Sequence, residues 1–270
     1  MAPGEHTEAR AVGMGEEVDE SGQEASRMSF LEHLEELRKR ILYSVYAIVA
    51  GCIVPLIYQR AIYDWMTKYF HQVLPPNVKL IFTEAPDGFM LSLKLDVVAG
   101  FLIASPFVFS QLWLFIAPGL YTREKKVVIP FVLSATTLFL GGAAFSHYIA
   151  FLQMWRFFAT YSNDYTQFVP TIKEAFNFYI WMMLALGGVF QTPILVFFLA
   201  RFGIIDAKFL YADGHWKYAI VVIVVVSAII TPSPDFMTQL IFAAPMLGLW
   251  WVSIGVAWLF GRPRSERKRA

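Results

Sequence analysis

Four apolar runs in this chain are each long enough to cross a lipid bilayer. They cover about Ile41 to Tyr58, Val97 to Ile116, Val127 to Trp155 and Ala175 to Ala200. A helix spans a hydrocarbon core of ~30 Å with roughly 20 residues. In lipid, backbone N–H and C=O groups must be paired within the segment, so such runs fold as helices. The third run, at about 29 residues, would reach about 43 Å and should tilt or protrude. Two further apolar runs, about Tyr218 to Ile230 and Phe236 to Phe260, flank Thr231-Pro-Ser-Pro-Asp235. The first of these gives only about 20 Å of helix, and its prolines predict a turn. That turn should hold Asp235 and Gln239 below the far surface. Membrane-depth turns are tolerated only when buried in protein or lining a wet cavity. The expected fold is all-α and polytopic, with six transmembrane helices.

Composition agrees. Of the 270 residues, 57% are hydrophobic and 17% aromatic, whereas a soluble domain is ~45–50% apolar. Mean hydropathy is +0.52. The net charge of +1 is segregated rather than gathered in a basic patch, which argues against a nucleic-acid partner. The single Cys52 excludes an internal disulfide and a thiolate metal site.

Lys and Arg set the orientation. Only Arg60, Lys68, Lys79, Lys94, Arg156 and Lys173 fall outside when both termini are cytoplasmic, leaving 16 of the 22 inside. Residues 1–28 read as a disordered acidic cytoplasmic tail, since no apolar core follows the acids. Residues 29–260 form the membrane domain, and 261–270 a basic cytoplasmic C-terminal tail. The loops at about 59–96 and 156–174 are aromatic and should form an outer cap, with a short interfacial helix near residues 60–70.

The first span has an amphipathic start. Ser29 and Glu32 have capping-box spacing. Phe30, Leu34, Leu37 and Ile41 form one apolar stripe, and Arg38, Lys39 and Arg40 mark the membrane edge. Glu36 therefore stands at the inner edge, and Glu124 in the short inner turn after the second span. If the first two helices pack together, these carboxylates make an acidic pair able to grip guanidinium groups, whose planar fork suits a carboxylate. The same spacing also allows Glu36 to pair with Arg40, and Glu124 with Arg123 or Lys125, which would only solvate a loop.

Other polar residues at membrane depth are Gln111, Gln191, Asp235 and Gln239. Such groups often mark function, yet glutamines also serve as plain interhelical hydrogen-bond partners. Pro193 and Pro245 should bend the fourth and sixth helices. Enzyme signatures are missing: there is no HExxH, GxSxG, Walker or GxGxxG motif. An intramembrane hydrolase would need a nucleophile with its base, and no such pair is legible. A small-solute transporter is a second rival, against which the short fifth helix argues.

Several blocks together resemble one family. Phe30-Leu-Glu-His33-Leu-Glu-Glu36-Leu-Arg38-Lys-Arg40 is similar to the N-terminal signature of the TatC family, the receptor subunit of the twin-arginine protein translocase. Ser105-Pro106, then Gln111-Leu-Trp113-Leu-Phe115-Ile-Ala-Pro118-Gly-Leu-Tyr121-Thr-Arg-Glu124-Lys, resembles its second-helix end and first cytoplasmic loop. Phe190-Gln191-Thr-Pro193 resembles its Phe-Glu-x-Pro, and Thr231-Pro-Ser-Pro-Asp235-Phe-Met-Thr-Gln239 its last outer turn.

The resemblance implies a non-enzymatic export receptor in the bacterial inner membrane, multi-pass, with short fifth and sixth helices. It implies that Glu36 and Glu124 receive the arginines of twin-arginine signal peptides, with Arg38, Phe115, Pro118 and Tyr121 shaping the patch. It implies contacts with TatA-like and TatB-like single-span subunits through the intramembrane polar set Gln191, Gln239, Asp235 and Thr231. It further implies an oligomeric complex in membrane lipid, no cofactor or metal, and transport driven by the proton-motive force. Gln191 departs from the family's usual Glu and cannot change protonation.

Overall fold

The computed structural model describes residues 31–74, 79–116, 125–163, 165, 168–205, 207–211, 214–231 and 235–260. The tails assigned to 1–28 and 261–270 lie outside this set. Among the described residues five helices are long and apolar enough to cross a membrane: Leu31–Ile57, Asp87–Ile116, Val128–Ala159, Ile172–Arg201 and Phe236–Phe260. They are the first, second, third, fourth and sixth spans. The fifth, His215–Ile230, has 16 residues and reaches about 24 Å. The expected short fifth helix is present. The sixth is not short: it has 25 residues and continues through Pro245, reaching about 37 Å.

The first two spans run antiparallel in one register. Arg40 bonds Gln111, and eleven residues further along each helix Gly51 meets Gly100. Eleven residues make about three turns, so the same face returns. A Cβ on Gly51 would stand 2.6 Å from the Gly100 carbonyl oxygen, and one on Gly100 2.4 Å from Cys52 Sγ. Only glycine permits this backbone approach, the usual way helices pack in lipid. The third and fourth spans cross in the same manner. A Cβ on Gly142 would lie 2.7 Å from the Leu186 carbonyl oxygen.

Apolar side chains left outside the bundle suit a lipid surround. Val221, Val225 and Ile229 are exposed along the fifth span, and Ile129 and Leu133 along the third. The core holds two aromatic clusters, one around Trp113, Phe131 and Phe197 and a larger one toward the end remote from Glu36. Helix Gln59–Val73 matches the expected short helix near residues 60–70, and one of its faces packs into the aromatic core. Phe70 is fully buried and contacts Phe151, Phe176 and Tyr179. The third span widens into a π-turn at Ser146–Ala150, which shifts the backbone hydrogen bonds. There the Tyr69 hydroxyl donates to the His147 carbonyl, and His147 Nδ1 lies 2.9 Å from the Tyr179 hydroxyl.

The two aromatic loops join, as expected of a cap. Ile81 and Thr171 form an isolated β-bridge, and Lys173 pairs with Glu84 at 2.8 Å. Asp87 Oδ2 accepts from the backbone N–H of Thr83 and Glu84, which closes the turn that starts the second span.

Candidate functional site

The first helix begins against the C-terminal end of the second span. His33 stacks on Phe115 with ring centroids 4.6 Å apart. Arg40 Nη1 donates to Gln111 Oε1 at 3.2 Å, and Arg40 Nη2 to Glu36 Oε1 at 3.1 Å. Glu36 lies one turn from each contact, on the same face. Of the two readings for Glu36, the ion pair with Arg40 is therefore formed, and it sits within a helix–helix junction instead of a solvated loop. The pair is partly shielded, with side-chain exposures of 25% for Arg40 and 32% for Glu36. Arg38 is exposed beside it. Glu124, Pro118 and Tyr121 lie outside the described residues.

The second polar place is a break in the fourth span. Helix Ile172–Val189 ends, and Thr192–Arg201 restarts with Pro193 in its first turn. The expected bend at Pro193 is thus a break centred on Gln191. Proline supplies no N–H and clashes with the preceding turn, so the helix must be reset there. Gln191 Nε2 donates to the Ala135 carbonyl at 2.9 Å. Its Oε1 is buried and has no partner among the described residues. Ser134, Pro193 and Ile194 line an adjoining apolar cleft of about 510 Å³, which also touches Val256 of the sixth span.

The turn between the fifth and sixth spans is built by the residues singled out in sequence. Asp235 Oδ2 caps the sixth helix, accepting from Thr238 N at 2.9 Å and Thr238 Oγ1 at 2.8 Å. Gln239 Nε2 donates to the Val224 carbonyl at 3.1 Å, tying the two helices together. Thr231 is buried, and its hydroxyl has no partner among the described residues. Asp235 and Gln239 thus serve the hairpin itself.

Asp96 was missed in the sequence. It is 1% exposed and accepts from Gln59 Nε2 at 2.8 Å. Its other oxygen has no partner among the described residues. The available signal was an acid abutting an apolar run. The apolar run itself begins one residue later, at Val97.

A family model described as "TatC: Sec-independent protein translocase protein (TatC)" matches residues 32–245. The chain belongs to the TatC family. A TatC from Koribacter versatilis (strain Ellin345) is 44% identical over 245 residues, covering 90% of this chain and 89% of that protein. One from Helicobacter pylori (strain ATCC 700392 / 26695) is 38% identical over 225 residues, covering 83% and 85%. A solved structure described as "Crystal Structure of Twin Arginine Translocase Receptor- TatC" is 30% identical, with a TM-score of 0.67, and covers 85% of this chain and 100% of that one. A second, in DDM, is 29% identical with a TM-score of 0.69. The chain is thus a multi-pass bacterial membrane component of the Tat protein translocase, a transport role. In this TatC the helix–helix junction at Glu36 joins two of the sequence blocks that carry the family likeness.

Proposed function

We propose that this protein is the receptor of the twin-arginine export system, set in the inner membrane with both termini cytoplasmic. Glu36 and Glu124 receive the two arginines of a precursor's signal peptide. Arg38, Phe115, Pro118 and Tyr121 border that patch. One observation carries the reading: the His33–Phe115 stack and the Arg40–Gln111 bond hold Glu36 against the second span's end. The chain leaves that end into residues 117–124, and the third helix begins at Lys125. Glu124 is the residue before that start in the sequence. Carboxylate–guanidinium bonds are short, charge-assisted and frequently two-pronged, so two adjacent arginines suit two such acids.

The far polar set, Gln191, Gln239, Asp235 and Thr231, contacts TatA-like and TatB-like single-span subunits in an oligomeric complex. The apolar cleft lined by Ser134, Pro193 and Ile194, next in sequence to the helix break at Gln191, supports this, since it offers a single-span helix an apolar seat. Transport draws on the proton-motive force. The test is export of a twin-arginine precursor in cells carrying Glu36→Ala or Glu124→Ala. Export should stop while the protein still inserts; normal export in both variants refutes the assignment.

A further inference from the structure

Arg40 already occupies the carboxylate that an incoming arginine would use. Its Nη2 lies 3.1 Å from Glu36 Oε1, and its Nη1 donates to Gln111 Oε1 at 3.2 Å. Its Nε is buried and has no partner among the described residues. An exposed pair spaced four residues apart on a helix leaves its guanidinium free to swing, and such pairs contribute little. Here the second bond crosses to another helix, so the guanidinium is fixed in place by two anchors. The neighbouring cations do not compete for the acid. Arg38 and Lys39 are exposed, and Lys39 Nζ sits 6.0 Å from the Tyr43 ring centre.

We infer that Arg40 is an internal stand-in for a signal arginine: the resting receptor keeps Glu36 occupied by its own guanidinium, and a peptide guanidinium binds by exchanging with it. The inference rests on the reading of Glu36 as a receiving carboxylate. The exchange replaces like with like. In both end states Glu36 has a guanidinium partner, so neither leaves it as a half-buried charge unpaired, which would be costly. Arg40 keeps a landing place as well, because Gln111 Oε1 still accepts from it after Glu36 is released.

The thermodynamic consequence is specific. Only receptors whose Glu36 is free accept the ligand, so the apparent dissociation constant is the intrinsic one divided by that free fraction. The same factor applies to every cationic ligand. Arg40 therefore sets how strongly a peptide must bind, while the preference for Arg over Lys comes from guanidinium geometry at the acids.

The experiment titrates the full-length protein in lipid nanodiscs with fluorescent signal peptides bearing paired Arg or paired Lys. Arg40→Gln keeps a donor for Gln111 and removes the cation from Glu36. It should bind both peptides about threefold to tenfold more tightly, with the Arg-to-Lys ratio unchanged. Arg40→Lys still offers Glu36 a cation and should gain much less. In a Glu36→Gln background Arg40→Gln should add nothing, because no carboxylate remains to be released. Binding by Arg40→Gln that is equal to or weaker than the parent overturns the inference. So does a gain that persists with Glu36→Gln, which would reflect general charge repulsion, and so does an equal gain in Arg40→Lys. Parent-like binding by Glu36→Gln alone would instead sink the receptor reading itself.

Discussion

His33 stacks on Phe115, and this ring pair joins the start of the first helix to the end of the second span. Two turns later Arg40 reaches Gln111, one turn back along the second span. The two contacts together fix an antiparallel register, and Glu36 falls between them. The register is held further along by Gly51 and Gly100, and beyond that by Gln59 and Asp96. The placement of Glu36 thus depends on a seam that follows the first span to its end and covers about two-thirds of the second.

Gly100 is the tightest point of that seam. A side chain there meets Cys52 Sγ at 2.4 Å and Cys52 backbone atoms at 2.8 and 2.9 Å. Gly100→Leu should lower stability by about 2–3 kcal/mol through overpacking. Gly255 has open space around its Cβ direction, so Gly255→Ala should be neutral or stabilising by up to about 1 kcal/mol. Thermal unfolding in detergent reads both. Equal midpoints for the two variants would show that the seam is not tightly packed.

Asp96 and Gln59 pin the far end. Gln59→Leu removes the one donor that Asp96 has among the described residues and should cost about 1–3 kcal/mol. Asp96→Asn keeps an acceptor for Gln59 and should stay within about 1 kcal/mol of the parent. Melting curves of the purified variants decide the matter, and a silent Gln59→Leu would mean that the bond holds nothing.

Gln191 supplies a donor to Ala135 and offers a free acceptor. Gln191→Leu should weaken recovery of single-span partner subunits in co-purification, by about threefold for one lost membrane hydrogen bond. Gln191→Glu should be tolerated, because a protonated Glu still donates to the Ala135 carbonyl. Undiminished recovery with Leu would make Gln191 ordinary packing.

The Tyr69 hydroxyl gives a pH prediction. Burial pushes its pKa up to about 12, with Tyr148 adding to the effect, whereas an unfolded tyrosine titrates near ~10. A raised folded pKa means that the unfolded chain loses its proton first. This contribution to stability is complete below pH ~10 and is lost as pH rises toward ~12. Tyrosinate absorbance and melting temperature should both be flat from pH 7 to 9 for this group, with Tyr69→Phe lacking its share of the later fall. Ionisation of Tyr69 at pH ~10 would contradict its placement against the third span.

Much of this architecture was legible in the apolar runs, because lipid forces helix on any long run and the Thr231-Pro-Ser-Pro-Asp235 prolines mark a turn. The run from Phe236 to Phe260 reads as one helix and is one; the expectation that it would be short came from resemblance. Hydropathy gives no account of depth within the bundle. Phe70 looks interfacial in sequence yet is fully enclosed, since the aromatic partners that bury it lie in distant segments. The π-turn at His147 left no mark either: the hydroxyls of Tyr69 and Tyr179 that contact it come from distant segments. At the candidate site, spacing allowed the Glu36–Arg40 pair that is formed. What it did not supply was Gln111 as the anchor that fixes Arg40.

The most direct measurement is photocrosslinking of a twin-arginine signal peptide, with the reactive group beside its arginine pair, to receptor in native membranes. The account predicts adducts on residues 31–40 and on the segment that contains Glu124. It also predicts a loss of about tenfold or more when Glu36 and Glu124 are both changed to Ala, as expected for removed charge-assisted bonds. Undiminished adducts in that double variant, at equal amounts of inserted protein, would contradict it.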